Sequence, residues 1–378
     1  METLAKTIEL LCREKGISKE DVLDALKVGI VNAAKKAGFK GNLVVKMDEE
    51  GKELALYQEK VVVEKPKDSA LEISVEEARK LFGSTVKPGD TVLVEVKTEW
   101  LGRIAATTAA QVIHSRIAEA EMKALYDYFR EKIGDVISGT VKELRRNGDV
   151  IMDLGRVVGV LPREERIPKE KYRLGERIRA YIYDVLFDYR KYSRKKPSKI
   201  DDYSPPYVVL SRTHPKFLRR LMEIEIPEVA EGLVEIKAVA REPGVRAKVA
   251  VSAVEDYIDP VGACIGVKGN RILPISRELS GEKIEIISWS DDVAELVARA
   301  LSPAQVIHAE SYEDENGELR VEVVVPDDQL SLAIGKHGVN ARLTSKLVAQ
   351  VEQVAGIDII KESDYRKLEE LEAMEDEE

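Results

Sequence analysis

The chain is 378 residues long, 44% apolar and 34% charged, with two cysteines and a formal net charge of −10. That length suits about two to four domains with cores of their own, and that composition excludes a disordered chain. No apolar run approaches the roughly 18–20 residues that cross a bilayer, and Cys12 and Cys264 lack the spacing of a metal or redox pair. The N-terminal stretch METLAKTIELLCREKG has no signal-peptide core, so a cytoplasmic protein without a membrane segment is expected.

Residues from Glu2 to about Gly38 read as two amphipathic helices, with Ser18 as an N-cap of the second. LVVKM, ELALYQEKVVVEK and TVLVEVKTEW follow as β-rich segments separated by D-E-E-G and K-P-G-D turns. From Arg103 to about Lys132, apolar residues at intervals of three and four predict one long helix, with Trp100 as a packing residue just before it. From Gly134, short alternating segments with glycine turns predict a small β-barrel. A loop at Tyr189–Lys199 carries six basic residues and no acidic one. Local patches, not net charge, decide phosphate contacts, so an acidic total leaves an RNA partner open. The last ten residues include seven acids and read as a disordered tail.

Beyond Pro215 a repeat emerges. RAKVAVSA, an acidic turn, VGACIGVKG, a helix NRILPISRELSG and a strand KIEIISW are matched by ELRVEVVV, PDDQ, LSLAIGKHG, VNARLTSKLVAQ and GIDIIKE. Strand, helix, G-x-x-G, helix and strand therefore occur twice in one order. Between helices, a G-x-x-G turn leaves the main chain bare enough for a phosphodiester strand to approach, with unpaired amides and a helix dipole behind it. The candidate RNA contacts are Gly266, Val267, Lys268, Gly269 and Arg271 in the first copy, and Gly335, Lys336, His337, Gly338 and Arg342 in the second. Glycines permit the approach and cations neutralise phosphate; Ile265 and Ile334 read mostly as core. Secondary candidates are Arg145 and Arg146 on the barrel and Lys195 and Lys196 in the basic loop. VKELRRNGDVIMDLG offers no aromatic for base stacking, which favours backbone contact there, and Tyr181 and Tyr183 share one face of a later strand.

This is the layout of KH domains, whose GxxG loop clamps about four nucleotides of single-stranded RNA. DPVGACIGVKGNRI resembles the first KH domain of the NusA family, LGRIAATTAAQVI resembles its connector helix, and the barrel resembles its S1-type OB fold. The resemblance implies a multidomain α+β chain. Residues 1–130 would form a mixed α/β N-terminal domain that binds RNA polymerase core and ends in the connector helix. Residues 131–213 would form the S1-type OB barrel, 214–290 and 291–362 two tandem KH domains, and 363–378 the acidic tail. It also implies a monomeric transcription elongation factor that binds polymerase and nascent RNA, works with other elongation and antitermination factors, and modulates pausing, termination and antitermination.

No enzyme is expected: the sequence has no G-x-x-x-x-G-K-[ST], G-x-G-x-x-G or G-x-S-x-G. His114, His214, His308 and His337 have no ligand spacing, so neither metal nor cofactor is expected. Three alternatives use the same modules. A phosphorolytic exoribonuclease needs a catalytic core that the residues before the barrel are too few to form. A KH-containing GTPase needs the missing phosphate loop. A factor of ribosome assembly or translation would bind ribosomal subunits in place of polymerase.

Overall fold

A computed structural model describes residues 19–47, 54–96, 101–188 and 203–375, and the chain divides into the units Met1–Ala124 and Leu125–Glu378. Ser18, Trp100, Cys12, Lys195 and Lys196 lie outside the described residues, as does the rest of the basic loop.

In the first unit, helix α1 (Lys19–Lys36) buries Leu26, Ile30 and Ala34 at a spacing of four, one stripe of a helix. Ile30 and Ala34 share a core with Leu43 and Val45 of β1 (Leu43–Met47) and Leu56 of β2 (Leu54–Val63). β2 pairs antiparallel with β1 and with β4 (Thr91–Glu95), and parallel with β3 (Glu72–Ser74). Helix α2 (Val75–Phe82) starts on a reciprocal cap: the Glu77 N–H donates to Ser74 Oγ at 3.3 Å and that hydroxyl donates to Glu77 Oε2 at 3.2 Å. The predicted long helix is α3 (Leu101–Arg130).

In the second unit, β5 (Val136–Leu144), β6 (Val150–Asp153), β7 (Val158–Leu161), β8 (Arg177–Leu186) and β9 (Tyr207–Ser211) close into a barrel in the order β5-β6-β7-β9-β8. Val141, Val150, Met152, Ala180, Ile182, Val208 and Leu210 alternate into its interior, and Phe129 from the end of α3 joins that core.

The repeat is then realised twice. Helices α4 (Pro215–Glu225) and α5 (Pro227–Ala230) lead into β10 (Val234–Glu242), β11 (Arg246–Ala253), α6 (Pro260–Ile265), α7 (Ile272–Glu278) and β12 (Lys283–Ser288). Helix α8 (Val293–Ala300) precedes β13 (His308–Glu313), β14 (Leu319–Val325), α9 (Leu330–Ile334), α10 (Val339–Val348) and β15 (Gly356–Lys361). Each sheet pairs its first two strands antiparallel and its last two parallel. β11 is buried on both faces. Val249 and Val251 face Phe217, Leu221 and Ile275 in one core, while Ala250 joins Ala238, Leu296, Val321 and Leu347 in another. That second core spans both repeats, and the Gln350 amide adds a two-way pair with the Val239 backbone at 3.0 and 3.2 Å. The two repeats are thus joined through that second core.

The stretch expected to be a disordered tail is instead helical from Glu362 to Glu375, α11. The Ser363 N–H donates to Asp327 at 3.1 Å, and Tyr365 lies 6.1 Å from the His308 ring. Glutamate and leucine are good helix formers, and these anchors supply what composition does not report.

Candidate nucleic-acid interface

The two glycine loops have nearly the same backbone. Gly266 and Gly335 adopt φ/ψ of 73/172° and 76/164°, and each ends the preceding helix by donating to Gly262 O at 2.8 Å or Ser331 O at 2.9 Å. Lys268 and His337, third in their loops, are held left-handed at φ 53° and 55°. The fourth glycines, Gly269 and Gly338, donate to the first glycines' carbonyls at 3.0 Å in both copies.

These bonds leave particular donors unclaimed. Among the described residues, no acceptor takes the N–H groups of Val267 and Lys268, or of Lys336 and His337. All four side chains are exposed, Val267 by 79%. Paired bare amides with a lysine beside them can receive an anion. In the first copy the two amides just before the next helix are already used, since Asn270 donates to Val267 O at 3.1 Å and Arg271 to Ile265 O at 3.3 Å. Ile265 and Ile334 are 37% and 40% exposed, so they stand beside the loops as accessible apolar surface, against the expectation of core positions.

The two arginines are not equivalent. Arg271 is fifth after Gly266, and the residue fifth after Gly335 is Asn340. Both brace the helix that ends at the loop: Arg271 Nη1 donates to Ala263 O at 2.6 Å, and Asn340 Nδ2 donates to Leu332 O at 3.3 Å and Leu301 O at 2.8 Å. Arg271 Nη1 also meets Glu228 Oε2 at 2.7 Å. Burial opposes the charge of Glu228, but its hydrogen bonds, including that from Arg271, outweigh burial and lower its pKa. Arg342 instead lies against the second loop, with Nη1 donating to His337 O at 3.1 Å and Nη2 to Glu242 at 2.8 Å. Asn340, Glu228 and Glu242 escape sequence reading; only Asn340 is recoverable, by aligning the two copies from their first glycine.

The first glycine is sterically required. A Cβ at Gly335 would lie 2.9 Å from the Asn340 backbone nitrogen, whereas one at Gly338 would meet only the Arg342 guanidinium at 3.9 Å. Both have positive φ, so both substitutions are strained, but only the first must also displace backbone. Gly335→Ala is expected to destabilise the chain by about 1–3 kcal/mol more than Gly338→Ala, read from urea unfolding midpoints of the two variants.

On the barrel, Arg145 is largely covered: Nε lies 3.4 Å from Glu143 and the guanidinium 5.8 Å from the Tyr203 ring. Lys142 sits 5.1 Å from the same ring. The barrel thus does carry an aromatic beside its cations, supplied from a position distant in sequence. Arg146 is exposed. Tyr181 is buried and stacks on His214 at 5.1 Å, while Tyr183 is 40% exposed, so the pair splits between core and surface.

Burial pushes the Cys264 thiol up to about 12, which keeps it protonated. Among the described residues, no cluster of His, Cys, Asp and Glu has metal-binding geometry, and no helix is long and apolar enough to cross a membrane.

Family descriptions match three stretches: a NusA N-terminal domain at residues 3–123, a NusA-like first KH domain at 212–289 and a NusA-like second KH domain at 293–367. The transcription termination/antitermination protein NusA of Halalkalibacterium halodurans is 41% identical over 357 residues, covering 94% of this chain and 87% of its own. The protein of that name from Bacillus subtilis is 40% identical over 366 residues, covering 97% and 92%. A solution structure of the N-terminal domain of NusA from B. subtilis is 37% identical, covers 31% of this chain and 95% of its own, and superposes with a TM-score of 0.28.

Proposed function

The chain belongs to the NusA family, and on that premise we propose that it is a non-enzymatic transcription elongation factor of the cytoplasm. It holds RNA polymerase core through residues 1–130 and single-stranded nascent RNA through the barrel (131–213) and the two KH domains (214–290 and 291–362). In this way it modulates pausing, termination and antitermination. The observation that carries the RNA half is the duplicated loop: unclaimed amides at Val267–Lys268 and Lys336–His337, flanked by exposed cations, in one backbone geometry.

Tethering explains why such modest sites suffice. A factor bound to polymerase meets emerging RNA at an effective concentration that reaches the millimolar range for short tethers. Sequence-tolerant contacts to phosphate then hold the transcript without base reading. The test is in vitro transcription with purified polymerase. Adding the chain should lengthen pauses and shift termination efficiency at a hairpin terminator, and no effect on either would defeat the reading.

A second measurement bears on the loops themselves. If about four phosphates are neutralised, log affinity for an unstructured RNA should fall against log salt with a slope near −3, at roughly 0.7 per contact. A slope near zero in a fluorescence-anisotropy titration would mean that phosphate is not what the loops hold.

A further inference from the structure

We propose that Glu242, at the end of β10 in the first KH domain, competes with RNA phosphate for Arg342 and so attenuates binding at the second GxxG loop. The inference rests on the RNA-binding reading of that loop. Three features place the pair at the loop itself. The Arg342 guanidinium lies 3.9 Å from where a Gly338 Cβ would be. Its Nη1 is anchored on the loop carbonyl of His337. Its Nη2 points away, to Glu242 Oε2 at 2.8 Å. One nitrogen is thus fixed to the loop, while the other is occupied by an exchangeable anion.

A phosphate arriving at the Lys336 and His337 amides is an anion of the same kind, placed beside the same guanidinium. Arg342 can exchange Glu242 for phosphate through Nη2 while Nη1 stays on His337, so the exchange needs no refolding of the loop. Both side chains are partly solvated, Arg342 by 44% and Glu242 by 32%, and an ion pair so exposed is easily displaced. The shared core and the Gln350–Val239 pair join the two domains without it, so its release is local.

The first copy has no such exchange. Arg271 holds Glu228 with the same Nη1 that braces Ala263 O, and its stem lies 2.9 Å from where a Gly266 Cβ would be. There the arginine is a strut beneath the loop. The two copies therefore differ in kind: a fixed clamp, and one whose strength a carboxylate from the neighbouring domain sets.

The experiment compares the full chain, Glu242→Gln, Arg342→Gln and the double variant in anisotropy titrations with an unstructured RNA of about ten nucleotides, over a range of salt. Glu242→Gln should bind about three- to tenfold tighter at low salt, since Arg342 Nη2 then no longer has to leave a carboxylate before it meets phosphate. Its salt slope should steepen by about 0.7, one further phosphate, and the gain should shrink as salt screens it. In the Arg342→Gln background the same change should do nothing. Unchanged or weaker binding by Glu242→Gln overturns the proposal, as does a gain that persists without Arg342. Thermal unfolding at matched midpoints for Glu242→Gln and the parent chain is expected; a large drop with weaker binding would make Glu242 a structural tie, which also overturns it. If the parent chain itself binds no RNA, the failure belongs to the reading of the loops.

Discussion

Replacing Val267–Lys268 and Lys336–His337 together with aspartates is expected to lower single-stranded RNA affinity by at least about 100-fold while leaving the fold in place. Two lysine contacts to phosphate are lost, each worth about 1.5–3 kcal/mol as a charge-assisted hydrogen bond. Their sum of roughly 3–6 kcal/mol corresponds to between 100-fold and 10⁴-fold before any repulsion by the new carboxylates is counted. The fold should survive for local reasons. All four side chains are exposed, and exposed substitutions usually change stability by less than about 0.5 kcal/mol. Two of the positions, Lys268 and His337, have left-handed backbone, which aspartate tolerates better than most residues. Unfolding by urea should therefore coincide with the parent chain, while anisotropy titrations show the loss. RNA affinity equal to the parent's in this variant would falsify the assignment of the loops.

The sequence carries the loops plainly and their partners poorly, for a physical reason. Glycine pairs, the lysines between them and the strands on either side are local signals, and a second copy in the same order removes the ambiguity of a lone G-x-x-G. Glu228 and Glu242 reach the arginines from 43 and 100 residues away, so no window contains both members. Tyr203 reaches the barrel cations in the same way, from far along the sequence.

Among the secondary elements, α2 goes unread in the sequence although it carries a local signal, Ser74 capping the N–H of Glu77 ahead of an apolar-periodic run. β10 and β13 are harder. β10 buries six of its nine residues, four of them in succession, because its sheet is covered on both faces, which blurs alternation. β13 buries none, so composition hides it among polar turns. The terminal helix α11 shows the opposite error: acidic composition reads as disorder, while the anchors at Asp327 and His308 come from other elements.

Arg212→Ala is expected to destabilise the barrel–KH unit by about 3–5 kcal/mol, the usual result of removing one partner from a buried ion pair. Arg212 follows β9, with its side chain 1% exposed. Nε and Nη2 hold Glu170 at 2.8 and 2.6 Å, and Nη1 holds Glu278 at 2.8 Å. The remaining donors go to the backbone carbonyls of Arg179 and Glu278. Burial works against the charge, and the two carboxylates outweigh it, so the guanidinium pKa is raised. Glu278 is the last residue of α7, the helix that follows the first loop, and Arg179 of the barrel binds it too, at 3.1 Å. The cluster therefore fixes the helix on which the first clamp stands. Alanine would leave Glu170 without its cation and empty the side chain's space. Lysine would keep the charge but not the fork of donors that five acceptor atoms use, so Arg212→Lys should recover little. Because the pairs are buried, added salt should not rescue either variant. In the parent chain, barrel and first KH domain should unfold together; in Arg212→Ala, calorimetry should resolve an earlier transition for one of them. A variant within 1 kcal/mol of the parent, still melting as one unit, would show that apolar contacts such as Ile167 against the KH core hold the junction without the charges.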